Sequence, residues 1–159
     1  MNEKPSFKQI AVINLVNNIP MAIIMSTVAP LIDGKPIELN NWIMNVLIAF
    51  IIACVINVVV PVPLIAKKFP ALFKLESDKF AGRVVGNIPV AFIFVVIIGL
   101  VLTYYNVRLV PVFIFVFATT FIPLYLICFV VSMITNPIAM KLAGIGHDNQ
   151  NDKYEIENE

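Results

Sequence analysis

Four long apolar blocks dominate the order of hydrophobic and polar residues, running roughly from Gln9 to Ile32, Trp42 to Ala66, Val84 to Tyr105 and Leu109 to Met140. Each reaches the length of about 20 residues that a helix needs to cross the hydrocarbon core of a bilayer. Polar sequence separates them. Asp33-Gly34-Lys35-Pro36 carries turn chemistry, with Asn40 or Asn41 as a helix cap just beyond it. The hairpin from Tyr104 to Arg108 is so short that the blocks flanking it must be antiparallel neighbours. Pro111 and Pro123 are placed to start and to kink the last block, which is longer than one span requires. The pattern predicts an all-α integral membrane protein with four transmembrane helices.

Composition agrees with that pattern. Of 159 residues, 60% are hydrophobic and 13% charged, and the mean hydropathy is +0.92. Ordinary soluble domains are about 45–50% apolar and about 25% charged, so a soluble fold is excluded. The first block follows Lys4 and Lys8 as a signal peptide would, but Asn14, Asn17 and Asn18 in its first half and the lack of a small-residue cleavage site point to a retained span. A formal charge of +1 leaves no global field to attract nucleic acid. The placement of charge carries more information. Lys4 and Lys8, the segment with Lys67, Lys68, Lys74, Lys79 and Arg83, and Lys141 with Lys153 together hold nine of the eleven basic residues, whereas the other two connections hold only Lys35 and Arg108. The positive-inside rule therefore places both termini and the middle loop on the cytoplasmic side, with Trp42, Tyr104 and Tyr105 at the opposite interface.

The expected organisation is a tail over residues 1–8, a two-helix unit over 9–66, a basic cytoplasmic loop over 67–83, a second two-helix unit over 84–143, and an acidic tail over 144–159. That last segment holds five carboxylates and one lysine, too little apolar surface to offset the entropy of ordering. The two units read as tandem copies. Asn18-Ile19-Pro20-Met21-Ala22 recurs as Asn87-Ile88-Pro89-Val90-Ala91 at an offset of 69, and Cys54, Pro63 and Lys67 recur as Cys128, Pro137 and Lys141 at an offset of 74. Two spans per copy make both copies enter the membrane from the same side, a parallel repeat about an axis along the membrane normal.

Pro20-Met21 with Met25-Ser26, Trp42 opening the next block, Ala49-Phe50 within it, and Pro63 followed by Lys67 resemble the two-helix "domain of unknown function twenty-seven ninety-eight" of small bacterial membrane proteins. In the second unit Pro89, Pro137 and Lys141 match, while no tryptophan opens the fourth block and Phe94-Val95 replace the Met/Ser pair. The resemblance covers most of residues 10–141. It implies a multi-pass protein of the bacterial cytoplasmic membrane with two such units, and no activity.

No Asp, Glu, Lys, Arg or His lies in the core of any span. Such groups mark proton relays and charged-substrate sites, so a carboxylate-driven pump is disfavoured. The one histidine, His147, stands in the tail away from any metal partner, and no catalytic motif or phosphate-cradling glycine loop is present. The expectation is a non-enzymatic protein without cofactor. Cys54 and Cys128 occupy equivalent repeat positions as small buried hydrophobes or as a redox pair.

What the spans hold is neutral polarity at helical spacing. Asn14, Asn18, Ala22, Ser26 and Pro30 recur every four residues in the first block, as do Asn45, Ala49, Ala53, Asn57 and Pro61 in the second. Such rows form helix-packing ridges, in which small residues allow close approach and Asn bonds across helices. Two functional readings follow. In the first, the ridges drive lateral assembly as a homo-oligomer or as an accessory to another membrane protein. In the second, Asn18, Asn57, Asn87 and Asn136 line the polar interior of a small transporter or pore for an uncharged or amphipathic solute; Asn18 and Asn87 each stand two residues before a proline, whose missing N–H frees a carbonyl one turn earlier. The basic segment, with Phe69, Phe73 and Phe80 among its cations, is expected to lie on the anionic leaflet.

Overall fold

Ser6 and Gln9 form a reciprocal capping box: the Gln9 N–H donates to Ser6 Oγ at 3.4 Å, and the Ser6 N–H donates to Gln9 Oε1 at 2.8 Å. Helix α1 (Phe7–Ile32) therefore starts two residues before the expected boundary. It ends where Asp33 caps it and Gly34, at φ +66°, reverses the chain and donates its N–H to the Leu31 carbonyl. The computed structural model describes residues 6–60, 62–76, 79–108 and 110–144, and among the described residues the regular elements are α1, α2 (Leu39–Val59), α3 (Val62–Leu72), α4 (Phe80–Val107) and α5 (Val110–Leu142). Four of them, all but α3, are long and apolar enough to cross a membrane.

Three expectations need correction. The block expected to run unbroken from Trp42 to Ala66 stops as a helix at Val59, because Val60 precedes Pro61 and a residue before proline is driven out of the α region; its φ of −98° and ψ of 126° are extended. The chain resumes as α3, so the segment expected to be loop from residue 67 carries Lys67 and Lys68 on a helix, and α4 begins at Phe80 rather than Val84. The N-cap of α2 is Glu38, without a side-chain cap bond, and not Asn40 or Asn41. Asn41 instead donates to Asn106 Oδ1 on α4 at 3.1 Å. The acidic tail lies outside the described residues from 145 onward.

The tight turn between α4 and α5 is as short as expected. Arg108 caps α4 in the left-handed conformation, φ 59°, with its N–H on the Tyr104 carbonyl and its guanidinium over the Tyr105 ring. A side chain there costs energy that glycine would not. The long helices pack in the ring α1, α2, α4, α5, and α3 lies against the start of α4. One end of the bundle holds the α1–α2 and α4–α5 turns, here the hairpin end; α3 marks the other.

Small and apolar residues fill the centre. Ala49 and Ala53 of α2, Met25 of α1, Val95 and Ile98 of α4 and Cys128 of α5 are wholly inaccessible. Among the ridge residues read from sequence, Ala22, Ser26, Asn45, Ala49 and Ala53 are buried and Asn14 is half-buried. The outer faces are apolar in rows four residues apart, such as Ile122, Leu126, Val130 and Ile134 of α5, all more than half exposed. Rows of that kind are costly in water and ordinary against lipid. The fold fits a multi-pass membrane protein.

Candidate functional site

The polar residues inside the bundle fall into two layers. Nearer α3, Asn57 Nδ2 donates to Asn18 Oδ1 at 3.1 Å, and Asn18 Nδ2 reaches Cys54 Sγ at 3.7 Å, joining α2 to α1. Asn17, one residue earlier, donates to Asn136 Oδ1 at 3.0 Å and joins α1 to α5. Asn87 donates to Ser132 Oγ and, at 3.3 Å, to the Phe129 carbonyl, joining α4 to α5. The structure thus brings Asn18 and Asn57 together, and gives Asn87 and Asn136 separate partners, Ser132 of α5 and Asn17 of α1; Ser132 and Asn136 are one turn apart on α5. All four make interhelical contacts.

The second layer lies at the hairpin end. Asn45 and Asn106 exchange amide hydrogen bonds, Asn45 Nδ2 to Asn106 Oδ1 at 3.3 Å and Asn106 Nδ2 to Asn45 Oδ1 at 3.2 Å. Trp42 Nε1 donates to Thr27 Oγ1 at 2.9 Å, which fixes the start of α2 against α1. Between these contacts opens a cavity of about 140 Å³, flanked by Asn41, Asn45 and Asn106, with Asp33, Lys35 and Glu38 at its mouth. Met25, Ser26, Gly99 and Thr120 line its inner part. An apolar cavity of about 150 Å³ holds one benzene molecule, so a solute of that size fits.

Ser26 is the unusual member of this lining. It is 1% exposed, and its hydroxyl has no hydrogen-bond partner. The hydroxyls of Thr27, Thr120 and Ser132 donate to carbonyls three or four residues earlier, as helix-borne hydroxyls commonly do. Its main chain is short of a partner as well, since Pro30, four residues on, has no N–H to offer the Ser26 carbonyl. A buried donor and a buried acceptor are thus left without their helical partners at one residue on the cavity wall, and each unsatisfied buried group costs about 1–3 kcal/mol. None of Asn18, Asn57, Asn87 and Asn136 lines this cavity.

The mouth is charged and the interior neutral. Asp33 Oδ2 lies 3.9 Å from Lys35 Nζ. Partial burial pushes the Asp33 carboxyl above its ordinary range, and the Lys35 ammonium pulls it part of the way back. Among the described residues no group of His, Cys, Asp and Glu could hold a metal ion. Sequence reasoning had placed Ser26 and Asn45 on packing ridges and overlooked Asn106, which sits just past the expected end of its span. The spacing Ser26-x-x-x-Pro30 was the available signal.

At the other end Lys67, Lys68, Lys74, Lys79 and Arg83 are all exposed, and Lys79 Nζ pairs with Glu76 Oε2 at 3.1 Å. No protein family, curated protein or solved structure matches the chain.

Proposed function

We propose that the protein is a small, non-enzymatic carrier or pore for an uncharged or amphipathic solute, which it takes up through the cavity at the hairpin end. The observation that carries this reading is Ser26, a wholly buried residue of the cavity lining whose hydroxyl has no hydrogen-bond partner and whose carbonyl Pro30 leaves without its helical donor. A solute with one donor and one acceptor on an apolar body, such as a secondary amide or an alcohol, satisfies both. A fixed charge would face no countercharge beyond the mouth. The lining is therefore Ser26, Asn45, Asn106 and Thr120 rather than the four asparagines of the other layer, whose interhelical contacts hold the helices together.

Lateral assembly with a second copy or another membrane protein is less well supported, because the small-residue and Asn ridges that suggested it are engaged within the chain. Such assembly would have to use the apolar outer rows. The ring α1, α2, α4, α5 maps onto itself when α1 exchanges with α4 and α2 with α5, which is the arrangement two tandem hairpins would produce. Among the described residues seven cations, from Lys8 to Lys141, lie at the α3 end, and Lys35 and Arg108 at the hairpin end. On the positive-inside rule the cavity opens away from the cytoplasm.

Saturation-transfer NMR with N-ethylacetamide, a neutral probe of about benzene size carrying one donor and one acceptor, tests the reading. The wild type should transfer saturation to the probe, and Ser26→Leu, which fills the inner cavity, should abolish it. Equal transfer in both proteins would contradict the proposal.

A further inference from the structure

Helix α3 is too short to be a span: its 11 residues extend about 16 Å, against about 30 Å of hydrocarbon. One face is seated on α4. Pro70 is buried, and the Ala66 carbonyl, deprived by Pro70 of its helical donor, approaches Gly86 so closely that an added Cβ would lie 2.3 Å from it. Phe69 and Phe73 stack edge to face with centroids 5.6 Å apart. The opposite face is both apolar and cationic. Leu64, Lys68 and Leu72 form one exposed row four residues apart, with Lys67 and Ala71 exposed beside it.

The cations continue beyond α3. Lys74 is exposed in the following turn, Lys79 caps α4 and Arg83 lies in its first turn, so two positive charges sit at the positive end of that helix's dipole. That is the unfavourable end for them, and among the described residues of this segment only Glu76 opposes them, already paired with Lys79. Five exposed cations with leucines among them, two on α3, one in the turn after it and two at the start of α4, call for an anionic apolar surface. Basic amphipathic helices lie in a membrane interface for this reason, with leucines in the acyl boundary and lysines among headgroups.

We infer that α3 lies in the plane of the membrane and that Lys67, Lys68, Lys74, Lys79 and Arg83 bind the phosphate headgroups of anionic lipids at the bundle's α3 end. The inference uses none of the cavity residues. It changes the role of this segment from a loop that happens to be basic into a seated lipid-binding element.

A reporter on α3 tests it in the full chain. Leu72→Trp in a Trp42→Phe background places the one tryptophan on the exposed face of α3, and quenching by brominated phosphatidylglycerol or brominated phosphatidylcholine in reconstituted vesicles gives the relative affinity for each. The anionic lipid is expected to be preferred about fivefold or more, the effect of one lysine near an anionic surface. Adding Lys67→Gln, Lys68→Gln and Lys74→Gln, all at exposed positions, should lower the ratio severalfold, with Lys79 and Arg83 keeping it above one and unchanged tryptophan emission reporting that α3 remains in place. A ratio near one in the unsubstituted background, or an undiminished ratio in the triple variant, would overturn the inference. Displacement of the anionic lipid by inorganic phosphate beyond that by chloride at equal ionic strength would instead assign the cations to a free phosphate, and would overturn it too.

Discussion

Gly86→Ala lowers stability by about 1–3 kcal/mol, the usual effect of forcing a methyl group into a packed site. Alanine is the better helix former by about 1 kcal/mol, so propensity alone predicts the opposite sign. Sterics decide it. The new Cβ would sit 2.3 Å from the Ala66 carbonyl oxygen and 3.1 Å from Pro70 Cγ, and neither backbone oxygen nor proline ring can rotate away as a flexible side chain would. The contact is relieved only if α3 moves off α4. Thermal unfolding in detergent measures the loss, and faster tryptic cleavage after Lys67 and Lys68 reports that α3 has been released. A variant as stable as the wild type, with unchanged cleavage, would mean that α3 is not seated on Gly86.

The second large effect lies in the layer of asparagines. Asn18 is 1% exposed and bonds to both Asn57 and Cys54. Asn18→Leu keeps the branching and heavy-atom count of the side chain and leaves the half-buried Asn57 amide without its acceptor, which costs about 1–3 kcal/mol. Asn57→Leu leaves the wholly buried Asn18 Oδ1 without its donor, since the Cys54 thiol engages only Asn18 Nδ2, and costs about as much. The two residues are coupled, so the double variant should be less destabilised than the sum of the singles by about 0.6–1.7 kcal/mol, the range measured for interhelical hydrogen bonds in lipid. A denaturation cycle over the four proteins gives the coupling. Additive losses would show that Asn18 and Asn57 act independently and that α1 and α2 are held by packing alone.

Much of the architecture was legible because it depends on long stretches. Apolar length located four spans, and the five residues from Tyr104 to Arg108 required α4 and α5 to be antiparallel neighbours. Shorter features were lost in the same apolar run. Val60-Pro61 breaks the second span through a local restriction on one residue, which a hydropathy average does not register. Gly86, near the start of α4, marks the seat of α3, yet its meaning depends on a helix that a continuous apolar run absorbs into a span and a loop.

The site was only half legible, for a related reason. Of the rows of Asn and small residues, Ala22, Ser26, Asn45, Ala49 and Ala53 are buried. Whether an inward polar group is satisfied or free depends on what stands across from it. Asn18 meets Asn57, and Asn136 meets Asn17, so these become contacts, whereas the buried Ser26 hydroxyl meets no partner. The proline argument applied to Asn18 and Asn87 was sound chemistry placed one step away: the carbonyl that Pro30 frees belongs to Ser26 itself, so the free carbonyl and the free hydroxyl fall on one residue.

The central claim is that the cavity is open to water at the hairpin end and closed beneath Ser26. Ser26→Cys and, as the dry reference, Ala53→Cys are placed in a Cys54→Ala, Cys128→Ala background, and a membrane-impermeant methanethiosulfonate is applied from each side of sealed vesicles. The thiol at position 26 is expected to react from the hairpin side only, and the one at position 53, wholly inaccessible in the wild type, from neither. A thiol at 26 that is silent from both sides, or reactive only from the α3 side, would contradict it.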